Sequence, residues 1–73
     1  MKNDIKKLRK SRDLSQQALA DLCSVTRQTV NAIENDKYDP SLQLAFDLAK
    51  HLGTSVDRLF SPNSDVARSP EDP

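Results

Sequence analysis

Glycine and cysteine each occur once in these 73 residues, tryptophan is absent, and aromatic side chains make up only 4% of the chain. The lone Cys23 excludes an internal disulfide, and without Cys or His companions at ligand spacing it belongs to no zinc site. It reads as a small apolar group for a core. A single glycine leaves no loop able to cradle a phosphate, and no nucleophile stands with a base at a useful spacing. Neither catalysis nor a cofactor nor a metal is therefore expected. The one histidine, His51, falls late in a helical stretch, where it suits the negative end of the helix dipole. No apolar run approaches the length of a bilayer span or a signal-peptide core, so a cytoplasmic location away from membranes is expected.

What is present suits one small domain: 36% hydrophobic residues permit a single economical core. Net charge is zero, which on its face argues against a nucleic-acid partner, but the charge is unevenly spread. Residues 1–12 carry Lys2, Lys6, Lys7, Arg9, Lys10 and Arg12 against Asp4 alone. From Ser61 onward Arg68 faces Asp65, Glu71 and Asp72. One end is basic and attracts phosphate at low salt; the other is acidic, proline-containing and poor in groups to bury. The expected division is a folded domain over 1–60 and a flexible polar tail over 61–73.

The stretch VTRQTVNAIEN, residues 25–35, has the most informative face. Thr26 suits an N-cap, and no Gly or Pro interrupts the residues after it. At about 100° per residue, Val30 and Ile33 fall on one side and Gln28, Asn31, Ala32 and Asn35 on the other. Gln and Asn amides match the donor and acceptor of adenine in the major groove, and Arg27 can match guanine. Taken alone, the same pattern also describes an amphipathic helix whose polar face meets only water.

Four further helices follow from periodicity and caps. Ile5 and Leu8 fit one turn of a first helix that ends near Asp13. Ser15 caps a second helix over Gln16–Cys23, with Leu19 and Cys23 inward and Ala20 small enough for a close crossing. Ser41 caps a helix from Leu42 to about Leu52, with Ala45, Leu48, Ala49 and Leu52 inward and Gly53 as its stop. Ser55 caps a last short helix containing Val56, Leu59 and Phe60.

The run LSQQALADLCSVTRQTVNAIEN, residues 14–35, resembles the helix-turn-helix of the phage-repressor-like, Xre or Cro/C1-type family of regulators, and the likeness continues through DKYDPSL and HLGTSVDRLF. The resemblance implies an all-α fold, a compact five-helix bundle of the lambda-repressor-like DNA-binding type, in which the second helix of the motif enters the major groove. Carried over by position, it implies base reading by Arg27, Gln28, Asn31 and Ala32, the last against a thymine methyl. It implies phosphate contacts from Gln16, Gln17, Thr26, Asn35, Lys37 and Tyr38. Arg9 and Glu34 match a pair that bridges the first helix to the end of the recognition helix, a plain phosphate contact being the alternative for Arg9. The chain departs from the family pattern at Asp13, Ser24 and Asp36, where many members carry Gly or Asn and positive φ is often required.

The function implied is that of a sequence-specific, double-stranded DNA-binding transcriptional regulator, a repressor on a near-palindromic operator as a homodimer, with no small-molecule effector evident. Apolar groups that look surplus to a single core, Leu22, Leu44, Val56, Leu59 and Phe60, are candidates for the dimer surface, partial burial within one chain being the alternative. The rival function is a protein-interaction module, antitoxin-like or controller-type, of a toxin-antitoxin or restriction-modification locus.

Overall fold

The computed structural model describes residues 1–61, and the expected tail beyond Ser61 lies outside the described residues. Five helices, α1 (Ile5–Ser11), α2 (Gln16–Cys23), α3 (Arg27–Glu34), α4 (Leu42–His51) and α5 (Val56–Leu59), form the all-α bundle of the lambda-repressor-like type. Two short strands, β1 (Lys2–Asn3) and β2 (Phe60–Ser61), close it. Among the described residues no helix is long and apolar enough to cross a membrane.

Side-chain hydroxyls start three of the helices. Ser15, Thr26 and Ser41 each accept a hydrogen bond from the backbone N–H three residues on, of Ala18, Thr29 and Leu44, at 2.9, 3.2 and 3.1 Å. Each satisfies one of the donors that a helix start leaves without a partner. Ser55 takes the same position before α5 without making such a bond. The neighbouring Ser55 hydroxyl is the main influence holding the Asp57 carboxyl below its usual range.

Four helices end in one backbone pattern. After α1 the N–H of Asp13 bonds the carbonyl of Lys10, and that of Leu14 bonds Arg9. The same pair of bonds recurs at Ser24 and Val25 after α2, at Asp36 and Lys37 after α3, and at Gly53 and Thr54 after α4. This is the Schellman arrangement, whose turning residue must be left-handed. Gly53 adopts φ +71°, and Asp13, Ser24 and Asp36 adopt φ 57°, 58° and 62° despite carrying side chains.

The core contains Ile5, Leu19, Val30, Ile33, Leu48, Leu52 and Leu59, all fully buried, with Ala20, Cys23, Ala45, Ala49 and Phe60 beside them. Ala20 is fully buried in α2, where a larger side chain would hold the neighbouring helix off. Burial raises the Cys23 thiol pKa, with the charge of Asp47 adding to it. Cys23 thus behaves as an apolar filler.

The strands correct the expectation for the domain's end. β1 pairs antiparallel with β2, Lys2 opposite Ser61 and Asn3 opposite Phe60, and the Asp4 N–H bonds the Leu59 carbonyl at 3.0 Å. Ser61 is therefore part of the sheet. Leu59 and Phe60 are buried within the single chain. Leu44 and Val56 are half-buried and pack against the same core. The large apolar groups left exposed are Met1, Leu22, Tyr38, Leu42 and Phe46.

Candidate nucleic-acid interface

Helix α3 is anchored by its two buried apolar residues, Val30 and Ile33, while its cap holds its first turn. Thr26 accepts from the Thr29 N–H, and the two threonine hydroxyls lie 3.0 Å apart. Beyond the cap Arg27, Gln28 and Asn31 are exposed, and Ala32 is half-buried. The side chains of Arg27 and Gln28 make no hydrogen bond to another of the described residues, so their donors and acceptors are free for an outside partner.

The one acid within α3 is withdrawn from this face. The Glu34 side chain is only 4% exposed, and Arg9 grips it by two hydrogen bonds, Nε to Oε2 at 2.8 Å and Nη2 to Oε1 at 3.2 Å. The third guanidinium nitrogen of Arg9 bonds the Leu14 carbonyl at 2.9 Å, tying the turn after α1 to the pair. Arg9 is thus a nearly buried structural side chain and not one held out toward phosphate. Burial opposes the charge on Glu34, but hydrogen bonds from Arg9 and Gln16, with the charges of Arg9 and Lys6, outweigh it and hold its carboxyl below the usual range.

Around this face stand the residues that the resemblance assigns to phosphates. Gln16, half-buried at the start of α2, donates to Glu34 Oε1 at 2.9 Å and accepts from Asn31 Nδ2 at 3.4 Å. Gln17 is exposed and bonds the Asp21 carboxylate at 2.9 Å. Asn35 donates to the Asn31 carbonyl at 2.9 Å. Lys37 and Tyr38 are exposed on the loop that follows α3. In that loop Asp36 and Asp39 are both engaged by the amino group of Met1, which raises the amine's pKa and offsets negative charge beside Lys37.

Sequence reasoning passed over two features. Asn3 donates to the Ile33 carbonyl at 2.8 Å and accepts from the Ile5 N–H at 3.1 Å, joining the end of the recognition helix to the start of α1. Leu42 and Phe46, four residues apart on α4, are 71% and 56% exposed. Their spacing puts them on one stripe of the helix, a signal that was present in the helical wheel.

A helix-turn-helix family model matches residues 5–59, spanning α1 to α5. This chain belongs to the Cro/C1-type helix-turn-helix family of DNA-binding transcriptional regulators. It is 48% identical over 60 residues to an uncharacterized HTH-type transcriptional regulator of Methanocaldococcus jannaschii, covering 82% of this chain and 91% of that one. It is 43% identical over 60 residues to the uncharacterized regulator YgzD of Bacillus subtilis, with the same coverage of 82% and 91%. Among solved structures, the clp gene regulator ClgR of Corynebacterium glutamicum shares the fold at a TM-score of 0.67 and 21% identity, over 71% of this chain and 55% of that one. Hydroxypropylphosphonic acid epoxidase from S. wedmorenis is similar at a TM-score of 0.71 and 34% identity over 80% of this chain. The likeness spans only 31% of the epoxidase. Among the described residues no group of three or more His, Cys, Asp or Glu side chains is placed to hold a metal.

Proposed function

We propose that this protein is a sequence-specific repressor that binds a near-palindromic operator in the cytoplasm as a homodimer. The observation that supports it best is the division of α3: Val30 and Ile33 are buried, Glu34 is neutralised, and Arg27, Gln28 and Asn31 are left exposed on a capped helix. In this reading those three side chains meet base edges, and Ala32 meets a thymine methyl. Thr26, Asn35, Lys37, Tyr38 and Gln17 surround them at positions suited to the phosphates on either side, where contacts fix register rather than sequence.

One such domain covers little DNA, and a two-fold dimer doubles the readout, placing the two recognition helices about 34 Å apart on successive turns of one groove. The largely apolar surface available for that contact is a shallow groove of about 300 Å³ beside α4, lined by Met1, Asp39, Pro40, Leu42, Ala45, Val56 and Phe60. Leu42 and Phe46 stand exposed on α4. Half-buried Val56 and buried Phe60 form part of the groove's wall.

Selection of bound duplexes from a random pool at near-physiological salt tests the reading. A single enriched site with two-fold symmetry and half-sites about one helical turn apart is expected. Recovery of no preferred sequence would overturn it.

A further inference from the structure

The side chain of Gln16 lies between a buried carboxylate and an exposed amide of the recognition helix, and its hydrogen bonds have a fixed sense. Glu34, held ionised against Arg9, has no hydrogen to give and can only accept. Gln16 must therefore turn its NH2 toward Glu34, where Nε2 lies 2.9 Å from Oε1. That leaves the Gln16 carbonyl oxygen on the opposite side of the same planar amide, 3.4 Å from Nδ2 of Asn31. Asn31 must then turn its own NH2 toward Gln16. The Arg9–Glu34 ion pair thus dictates, through one intervening amide, which way a second amide faces.

We propose that Gln16 is a positioning residue that sets the base preference of Asn31. The inference rests on the base-reading role given to Asn31 above. With Nδ2 directed at Gln16, the Asn31 oxygen points away from α2 and one Nδ2 hydrogen remains free. An outward oxygen accepts from an exocyclic amino group, carried in the major groove by adenine and cytosine, and the free hydrogen suits adenine N7. Guanine O6 and thymine O4 present acceptors there: the free Nδ2 hydrogen can meet one of them, but the outward oxygen then has no donor opposite it unless the amide rotates and breaks its bond to Gln16. Gln16 in this account acts chiefly within the protein, since its carbonyl oxygen and one of its two Nε2 hydrogens are engaged there.

The test uses the full chain and operator duplexes carrying each of the four bases at the position whose discrimination is lost in Asn31→Ala, with affinities measured by fluorescence anisotropy at several salt concentrations. Gln16→Met keeps the length of the side chain and leaves Arg9 and Glu34 paired. It is expected to shrink the preference for the amino-bearing base over guanine and thymine by roughly 5- to 20-fold at that position alone. In the Asn31→Ala background Gln16→Met should change no base preference. Equal weakening on all four duplexes, with no change in base preference, would mark Gln16 as a phosphate contact and overturn the inference alone. If Asn31→Ala itself alters no base preference at any position, the base-reading role of Asn31 fails and the inference with it. The free protein gives a second readout by NMR. One Asn31 side-chain NH2 hydrogen should be shifted and protected in the parent and lose both properties in Gln16→Met. Two free, equivalent-behaving hydrogens in the parent would overturn the proposed orientation.

Discussion

Arg9 of α1 and Glu34 at the end of α3 meet as a two-pronged ion pair in which both side chains are nearly buried. The pair removes the one acid of the recognition helix from the face that is free to meet DNA, and it ties α1 to the end of α3. Taking one partner away leaves the other charge buried without a counter-ion, which costs more than the pair contributes net.

Glu34→Gln is accordingly expected to lower stability by about 2 to 4 kcal/mol. The folded-state pKa of Glu34 lies below its unfolded value, so its contribution is complete above the ordinary glutamate range and is lost as pH falls through the folded value. Urea unfolding of the parent from neutral pH downward should show this acid-side loss, and the Gln variant should be flatter over the same interval. Parallel profiles would show that Glu34 does not titrate against Arg9.

Ser24 turns the chain between α2 and α3 at φ 58° with its side chain exposed. Ser24→Gly relieves a left-handed strain of about 1 kcal/mol or slightly more, partly offset by the greater freedom of glycine in the unfolded chain. A rise of a few degrees in the thermal midpoint without weaker DNA binding is expected. An unchanged or lower midpoint would contradict the strain.

Gly53 works against Arg12. Its φ is +71°, and a β-carbon there would collide with the Arg12 guanidinium, whose Nε bonds the Leu52 carbonyl at 3.1 Å. Gly53→Ala should cost about 1 to 2 kcal/mol, since Arg12 can swing aside but the left-handed torsion cannot be avoided. Most of that loss should persist when Arg12 is already Ala. A loss that vanishes in the Arg12→Ala background would mean that the collision, and not the torsion, sets the cost.

Phe46→Glu tests the dimer surface. Phe46 is exposed and outside the core, so the variant should fold with a thermal midpoint close to that of the parent while shifting to monomer in sedimentation equilibrium. A variant as dimeric as the parent would move the contact elsewhere.

Much of this architecture was legible from short-range chemistry. Ser15, Thr26 and Ser41 mark helix starts because a hydroxyl needs only the N–H three residues on. The inward faces of α2 and α4 follow from periodicity. The positive φ at Asp13, Ser24 and Asp36 was suggested only by family position, since nothing in an aspartate or serine demands it. What escaped the sequence is non-local. The pairing of β1 with β2 joins the ends of the described chain, with buried Phe60 in the strand, while Leu42 and Phe46 on α4 remain exposed. Gln16 likewise looked like a free amide until Glu34 and Asn31 were seen on either side of it.

The central claim is that the exposed amide face of α3 reads bases. The most direct measurement is the affinity of the parent and of Gln28→Ala for the selected operator and for each of its single-base variants at fixed salt. The account expects Gln28→Ala to lose about 1 to 3 kcal/mol on the selected site and to lose discrimination at one base pair of each half-site, the others being retained. Binding by Gln28→Ala that equals the parent on every duplex would contradict it.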